Sequence, residues 1–373
     1  MELVRNIVAK GGSLSKSKVL SPSLQRISLN NEFRCQYSNG ASKQGAARNT
    51  SEENVMNIFD RNAKRLQKER SAMDPDVALY DYIKEEVGFR LSERILDIKR
   101  KFGKVVELGC SRGYVSKHIL SSSVEELIMC DMSPTHLQQA VGPEEAVKCS
   151  RMVVDEENLP FEPNSVDMFV SNLSLHWVND LPGTFAQINK CLKNDGCFLA
   201  SIFGGDTLFE LRCSLQLAEL ERQGGLAAHI SPFADVRDIG GLLQRAQFTM
   251  LTIDTDEIVI NYPSMFEVMW DVKGMGENNA ARNRKLSIPR DTLMAAAAIY
   301  ENMYGNDNGK DGCRAVPASF QVYYLLGWKP DASQPKPKPR GSGQVSLKDL
   351  HQLDEIMKKH GEIQLENDEN VKK

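Results

Sequence analysis

The residues with the clearest chemical potential are acids and glycines around one turn. Glu107 lies in an apolar run, 105–108, and Gly109 and Gly113 follow it. Glycines at such a turn let the backbone approach a small ligand closely, because they carry no Cβ. Asp131 ends the next apolar run, and an acid about 20 residues beyond a glycine turn is well placed to bind the hydroxyls of a ribose. The pattern predicts a site for a nucleoside-bearing cofactor.

A third acidic position strengthens this prediction and narrows the ligand. Asp155 and Glu156 follow the next expected strand, and the carboxyl ends of parallel strands face one crevice. Phosphate sites use a glycine-rich nest or the G-x-x-x-x-G-K-[ST] motif, which this sequence lacks. An acid at position 107 suits a cationic amino group better than a pyrophosphate. The residues therefore favour S-adenosylmethionine, whose amino acid end carries an ammonium group.

These positions lie in a region where apolar strands alternate with helices. Strands are expected at 105–108, 127–131, 152–154, 166–171 and 197–203, with two later ones near 250–260 and 320–326. Helices are expected at 114–120, 134–140, 181–192, 207–222, 236–247, 265–272 and 292–300. Uninterrupted apolar strands that alternate with helices indicate a parallel sheet covered on both faces. We predict an α/β fold with a doubly wound, mostly parallel seven-stranded sheet and a helical cap.

The two ends of the chain differ from this central region. Residues 1–50 hold eight basic residues, eight serines and two acids, which is typical of a mitochondrial or plastid transit peptide. Residues 56–103 form a charged helical region with apolar positions 79, 82, 83, 87, 91, 95 and 96 at helical spacing. The main domain is expected at 104–328, with a helical insertion near 263–303. Alternating proline and lysine then predict an extended linker and a charged, disordered tail at 329–373.

Charge and cysteine content exclude several classes of function. The chain has 46 basic and 50 acidic residues, and without the first fifty the balance is 38 against 48, or −10. A body this acidic is a poor general binder of nucleic acid. The eight cysteines form no C-x-x-C pair, so we interpret them as reduced packing residues rather than a zinc site. No apolar run reaches the length of a membrane span.

Residues 104–203 resemble a class I S-adenosylmethionine-dependent methyltransferase. The resemblance implies that Glu107 holds the amino acid end of the cofactor and that Asp131 holds the ribose. Gly109 and Gly113 match glycines that admit the cofactor, and Asp155 and Glu156 match the site beside the adenine. The family's loop usually has glycine where this chain has Ser111. A serine tolerates such backbone dihedrals only at some cost.

Longer stretches resemble a narrower family, the mitochondrial complex I assembly factors of the arginine-hydroxylase type. The resemblance runs from about 56 to 328 and rests on the segments 57–61, 159–161, 171–180 and 204–212. More distantly, these segments resemble the malonyl-carrier-protein O-methyltransferases of biotin synthesis. The narrower family implies hydroxylation of an arginine on an iron–sulfur subunit of complex I, and peripheral association with the inner mitochondrial membrane.

Candidate acceptor residues follow the fourth and fifth strands. Asn172 could bind an amide or guanidinium of the acceptor, and His176 lies at the rim where an acceptor would sit. His176 could equally be a packed residue at the start of a helix. Asp206 could orient a cationic acceptor or simply cap a helix. The sequence assigns no catalytic residue beyond these three candidates.

Three functions remain open from the sequence. The first is arginine hydroxylation, which the family resemblance implies. Non-haem iron oxygenases use two histidines and a carboxylate, and the H-x-[DE] pattern occurs here only at 360–362, in the tail. We therefore predict no metal site, and the oxidant is not identified. The second is methyl transfer to a small carboxylate or protein side chain, and the third is a non-catalytic assembly chaperone. Fold alone does not separate them.

Overall fold

The computed structural model describes residues 57–308, 314–336 and 340. Within these residues, seven strands form one sheet in the order β3-β2-β1-β4-β5-β7-β6. The strands are β1 Phe102–Leu108, β2 Val124–Asp131, β3 Lys148–Val153, β4 Val166–Asn172, β5 Leu192–Phe203, β6 Thr249–Tyr262 and β7 Val316–Trp328. The first five pair in parallel, and β7 pairs antiparallel with both β5 and β6. The predicted mostly parallel, seven-stranded sheet is confirmed.

Eight α-helices surround this sheet in the described part of the chain. They are α1 Arg61–Ala72, α2 Tyr82–Asp97, α3 Pro134–Gln139, α4 Leu181–Cys191, α5 Phe209–Gln223, α6 Val236–Arg245, α7 Met265–Gly274 and α8 Arg290–Tyr304. Local signals set several of their starts. Side chains of Asp60, Asp180 and Ser264 accept hydrogen bonds from the first turns of α1, α4 and α7, which satisfies amides that have no partner inside the helix.

The core lies on both faces of the sheet. On one face, Val87 and Leu91 of α2 pack with apolar residues of α5, α7 and α8. On the other face, Phe185 of α4 and Leu243 of α6 pack against inward residues of β1, β4 and β5. Central strands that are buried on both faces have nearly continuous apolar sequences, so these strands could be predicted from the sequence. The sheet is doubly wound, as predicted.

One local prediction is wrong. The segment 114–120 does not form an α-helix; it contains a single 3-10 turn, Ser116–His118. The Tyr114 hydroxyl donates to Asp81, and the Ser116 hydroxyl donates to the Val141 carbonyl at 2.9 Å. These tertiary bonds hold the segment in a tight turn and override its helical pattern. Of the apolar positions at helical spacing in 56–103, Leu79 and Leu96 are exposed.

The predicted ends of the chain fall largely outside the described residues. The transit peptide, 1–50, lies entirely outside them, as does nearly all of the tail beyond 336. Within the described residues, no helix combines the length and apolarity that crossing a membrane requires.

Candidate active site

The acids predicted to bind the cofactor meet at one edge of the sheet. Glu107 of β1 lies opposite Met129 of β2, and Asp131 is the last residue of β2. Asp155 and Glu156 follow β3, and the Val154 amide donates to the Asp131 carbonyl at 3.2 Å. Because β1, β2 and β3 are parallel neighbours, their carboxyl ends bring all four acids to the same side.

The turn after β1 has the backbone shape that its glycines predict. Gly109 and Gly113 have φ values of 69° and 84°, which favour glycine. A Cβ on Gly113 would lie 2.2 Å from the Val141 carbonyl oxygen, so no other residue fits there without moving backbone. Ser111 also has a positive φ, of 49°, which costs a serine conformational energy. Its amide donates to Asp131 Oδ2 at 3.0 Å, which fixes the turn to the end of β2.

Asp131 is fully buried and bound by three donors from the protein itself. Lys68 of α1 places its ammonium 3.2 Å from Asp131 Oδ2, beside the Ser111 amide, and the Ser133 amide donates to Oδ1 at 2.8 Å. Burial opposes both charges, but Lys68 holds the pKa of Asp131 below its usual value. Asp131 and Glu156 in turn raise the pKa of Lys68. The carboxylate expected to hold a ribose is therefore ionised and already paired with a cation.

A second cation of α1 binds the acids that follow β3. The Arg61 guanidinium lies 2.5 Å from both Asp155 Oδ1 and Glu156 Oε2. Glu156 is buried and also accepts a 2.8 Å hydrogen bond from the Ser174 hydroxyl. Although burial disfavours the charged guanidinium, the two carboxylates raise the pKa of Arg61. Arg61 and Lys68 thus neutralise much of the negative charge at the strand ends.

Glu107 differs from the other acids. It is fully buried, and neither of its carboxylate oxygens has a hydrogen-bond partner among the described residues. Burial raises the pKa of Glu107 to about 8, an effect that the nearby Ser116 only partly opposes. A buried polar atom without a partner is costly, and such groups are often completed by a ligand.

The residues fit S-adenosylmethionine in their chemistry. Glu107 has acceptor oxygens without a partner for an ammonium group, and Asp131 is ionised. The glycine turn itself is buried, and Gly109 and Gly113 lie against Ser174 and Val141. The space between the acids is not free for a ligand, because Lys68 and Arg61 of α1 bind the carboxylate oxygens of Asp131, Asp155 and Glu156. Donors of a bound cofactor would either share these oxygens with the two cations or displace them.

Two of the acceptor candidates are buried beside this edge. Asn172 donates from Nδ2 to the Lys84 carbonyl at 3.0 Å and accepts from the Ser201 hydroxyl at 2.8 Å, so the fold uses its polar atoms. His176 has Nε2 3.3 Å from Glu277 Oε2, while its Nδ1 has no partner among the described residues. Burial lowers the pKa of His176 despite the nearby Glu277 carboxylate. A neutral imidazole is the form expected at this position.

The third candidate is placed differently. Asp206 is exposed, and its carboxylate accepts a 3.2 Å hydrogen bond from the Gln321 side chain. Glu210, one helical turn later, is buried and accepts from the Ser319 hydroxyl at 2.6 Å. These bonds attach the start of α5 to β7, and neither acid contacts His176 or the acids at the strand ends.

The sequence interpretation missed the basic face of α1 and its partner Glu277. Arg61, Lys64 and Lys68 are spaced three and four residues apart, which places them on one side of a helix. This spacing could have indicated a basic helix face that binds the acids, but the charged face of a helix is usually exposed to solvent. Glu277 follows α7 and carried no signal at all, because only the tertiary fold brings it to Lys64 and Lys84.

Among the described residues, no three His, Cys, Asp or Glu side chains cluster with the geometry of a metal site. The H-x-[DE] pattern at 360–362 lies outside the described residues.

Strand order, the turn after β1 and the acids at the strand ends define a protein of class I methyltransferase fold. A methyltransferase domain family matches residues 106–200. The YcgJ protein of Bacillus subtilis, a solved structure, aligns with 65% of this chain and 98% of its own at 15% identity and a TM-score of 0.44.

The curated relatives narrow this class. The "Arginine-hydroxylase NDUFAF5, mitochondrial" of Danio rerio is 49% identical over 81% of this chain and 92% of its own length. The "Malonyl-[acyl-carrier protein] O-methyltransferase" of Methylovorus sp. is 30% identical over 74% of this chain and 91% of its own. The chain belongs to the family of the mitochondrial arginine hydroxylase NDUFAF5. Both predicted resemblances are confirmed, and so is the mitochondrial localisation.

Proposed function

We propose that this protein hydroxylates an arginine on an iron–sulfur subunit of complex I and thereby serves as a complex I assembly factor. The observation that carries the proposal is 49% identity with a protein named as an arginine hydroxylase, across nearly all of that relative's length. Identity at this level over both the sheet and the flanking helices supports a shared activity. Peripheral attachment to the inner membrane is part of the same proposal.

We further propose that S-adenosylmethionine binds at the strand ends. Glu107 would hold the ammonium of its amino acid end, Asp131 the ribose hydroxyls, and Asp155 with Glu156 the adenine. Support comes from the unpartnered oxygens of Glu107 and from the methyltransferase domain match at 106–200. When bound, this cofactor carries a methyl group on a sulfonium sulfur, the donor in methyl transfer.

Two alternatives each have an observation in their favour. Methyl transfer to a small carboxylate or a protein side chain is supported by the carrier-protein methyltransferase relative and by the domain match. In that reaction, positioning of the nucleophile contributes most of the rate, because the sulfonium is already a good leaving group. A non-catalytic chaperone is supported by the cations of α1, which occupy the oxygens of the cofactor acids.

One experiment separates the three functions. Complex I subunits are isolated from cells that lack this protein and from cells complemented with it, and their peptides are compared by mass spectrometry. Hydroxylation predicts an arginine peptide that gains the mass of one oxygen atom only in complemented cells. A gain of one CH₂ group would instead establish methyl transfer, and identical peptides with restored assembly would establish the chaperone.

Cofactor binding is tested separately with the purified protein. S-adenosylmethionine is titrated calorimetrically into the wild type and into Asp131→Asn, which keeps one acceptor oxygen but removes the charge. We expect the variant to bind at least about tenfold more weakly, a loss of roughly 1.4 kcal/mol. Glu126→Gln, on the same strand but away from its carboxyl end, serves as the control. Equal affinity of wild type and Asp131→Asn would exclude this binding site.

A further inference from the structure

A buried cation site lies next to the cofactor acids, around Glu277. The Lys64 ammonium lies 3.4 Å from the centroid of the Trp177 ring, 2.6 Å from the Gly276 carbonyl oxygen and 3.3 Å from Glu277 Oε2. A carboxylate, an aromatic face and a backbone carbonyl are three groups that attract a cation. These three partners together form what we call the Glu277 box.

The Glu277 carboxylate is held in a fixed orientation. Trp177 Nε1 donates to Glu277 Oε2 at 2.6 Å, and Lys84 Nζ lies 2.8 Å from Oε1. Although burial opposes its charge, Lys64 and Lys84 keep the pKa of Glu277 well below its usual value. Glu277 therefore presents a permanent negative charge.

Lys64 is a poor occupant of this box. Its side chain is fully buried, and burial together with the neighbouring Lys84 and Lys68 lowers its pKa well below the usual value, against the attraction of Glu277. An ammonium is a compact and strongly hydrated charge, so its burial costs more than that of a guanidinium. A guanidinium keeps its charge, is more weakly hydrated, and stacks on aromatic rings while it binds a carboxylate with two N–H groups.

A cavity of about 450 Å³ between α5 and α7 has Glu277 in its wall, whereas Lys64 and Trp177 are not among its lining residues. Trp270 and Leu286 line it and are 73% and 95% exposed, which is unusual for large apolar side chains. Leu211 and Phe233 also line it, so a long aliphatic side chain would have apolar contacts in the same cavity as the carboxylate. The basic residues Lys273, Arg284 and Lys285 complete part of the wall. A protein segment that carries an arginine has this combination of an apolar stem and a cationic end.

We propose that the Glu277 box binds the guanidinium of an acceptor arginine, which enters through this cavity, and that Lys64 occupies the box in the free protein. The inference rests on the proposed arginine modification, and it adds the residues that select the substrate. Glu277 and Trp177 then recognise the cation, while Trp270 and Leu286 contact the apolar surface of the partner protein.

The test uses the full chain and two small probes, N-acetyl-arginine amide and its citrulline counterpart, which has nearly the same shape without the charge. Binding is followed by ligand-observed NMR. Lys64→Met removes the resident cation and keeps the apolar stem, and we expect it to bind the arginine probe at least about tenfold more tightly than the wild type. The citrulline probe should bind Lys64→Met no more tightly than it binds the wild type. Glu277→Gln should lose binding of the arginine probe.

Lys285→Met is the matched control, because Lys285 lines the same cavity but pairs with Glu219. It should bind both probes as the wild type does. If Glu277→Gln fails to fold, the comparison of Lys64→Met with the wild type still tests whether the Glu277 box binds the arginine probe. No gain for arginine, or an equal gain for citrulline, would overturn the proposal. If cells contain the arginine product but Lys64→Met does not change probe binding, the Glu277 box is rejected and the proposed function is retained. If Lys64→Met tightens binding of the arginine probe but cells contain no arginine product, the Glu277 box is retained and the proposed function is rejected.

Discussion

Lys68 Nζ lies 3.2 Å from Asp131 Oδ2, so a cation of α1 is bound to the carboxylate assigned to the cofactor ribose. Both side chains are buried, and Lys68 also lies 3.9 Å from Glu156 Oε1. Arg61 of the same helix binds Asp155 and Glu156. At the proposed cofactor site, helix α1 and S-adenosylmethionine would therefore compete for the same carboxylates.

The first prediction concerns this competition. Lys68→Met removes the competing ammonium, and we expect S-adenosylmethionine to bind about tenfold more tightly, as measured by calorimetry. The cofactor-free variant should be less stable by about 3 kcal/mol, because Asp131 then remains buried without its cation. The cofactor should therefore raise the thermal midpoint of the variant more than that of the wild type.

The control for this experiment is Arg65→Met, which removes an exposed cation from the same helix. It should change neither the affinity nor the stability by more than a few tenths of a kcal/mol. Unchanged or weaker cofactor binding in Lys68→Met would show that Lys68 supports the site rather than blocking it.

A second prediction follows from the raised pKa of Glu107, about 8 in the folded protein. The unfolded chain releases this proton near pH 4.5, so between pH 4.5 and 8 the folded state binds more protons than the unfolded state. The contribution to stability is therefore complete below pH 4.5 and is lost as the pH rises through 8. Between these limits the loss amounts to roughly 3 to 5 kcal/mol.

Glu107→Gln isolates this effect, because glutamine has nearly the same shape and does not titrate. The free energy of unfolding is measured by denaturant titration at pH 5, 7 and 9 for both proteins, without cofactor. We expect the difference between variant and wild type to grow in favour of the variant as the pH rises. Parallel pH profiles would mean that Glu107 does not carry a raised pKa.

The sequence predicted the acidic edge of the site because that edge depends on local patterns. Glu107 and Asp131 follow continuous apolar runs, and such runs in alternation with helices leave few possible topologies. Parallel neighbours then place the acids together without any knowledge of side-chain contacts. The last predicted strand is β7, which lies between β5 and β6 and pairs antiparallel with both.

The basic side of the site could not be predicted in this way. Lys64 and Lys68 are buried only because Glu277 and Asp131, far away in sequence, neutralise them. Burial of a lysine costs several kcal/mol without such a partner, so the sequence alone predicts that these lysines face solvent. The turn at 114–120 was missed for a related reason, since the hydrogen bonds that hold it end on Asp81 and Val141.

A third prediction tests the turn after β1. Gly113→Ala should lower the free energy of unfolding by about 2 to 4 kcal/mol, because the added Cβ meets the backbone of Val141 and the φ of 84° disfavours alanine. Gly241→Ala is the control: it lies in α6, and a Cβ there meets nothing within 4 Å. The control should stabilise the protein by about 0.5 to 1 kcal/mol, since alanine favours a helix. Similar stabilities of the two variants would contradict the close approach at Gly113.

A fourth prediction separates structure from chemistry at Asn172. Asn172→Ala leaves the buried Lys84 carbonyl without this donor and the Ser201 hydroxyl without this acceptor, so the free energy of unfolding should fall by about 2 to 4 kcal/mol. Ser201→Ala removes the hydroxyl that donates to Asn172 and should cost about 1 kcal/mol. Both changes in the free energy of unfolding are to be measured by denaturant titration. Because the polar atoms of Asn172 are used within the fold, S-adenosylmethionine affinity of the folded variant should match the wild type. A stable Asn172→Ala protein that has lost modification of the arginine would instead assign Asn172 to the acceptor.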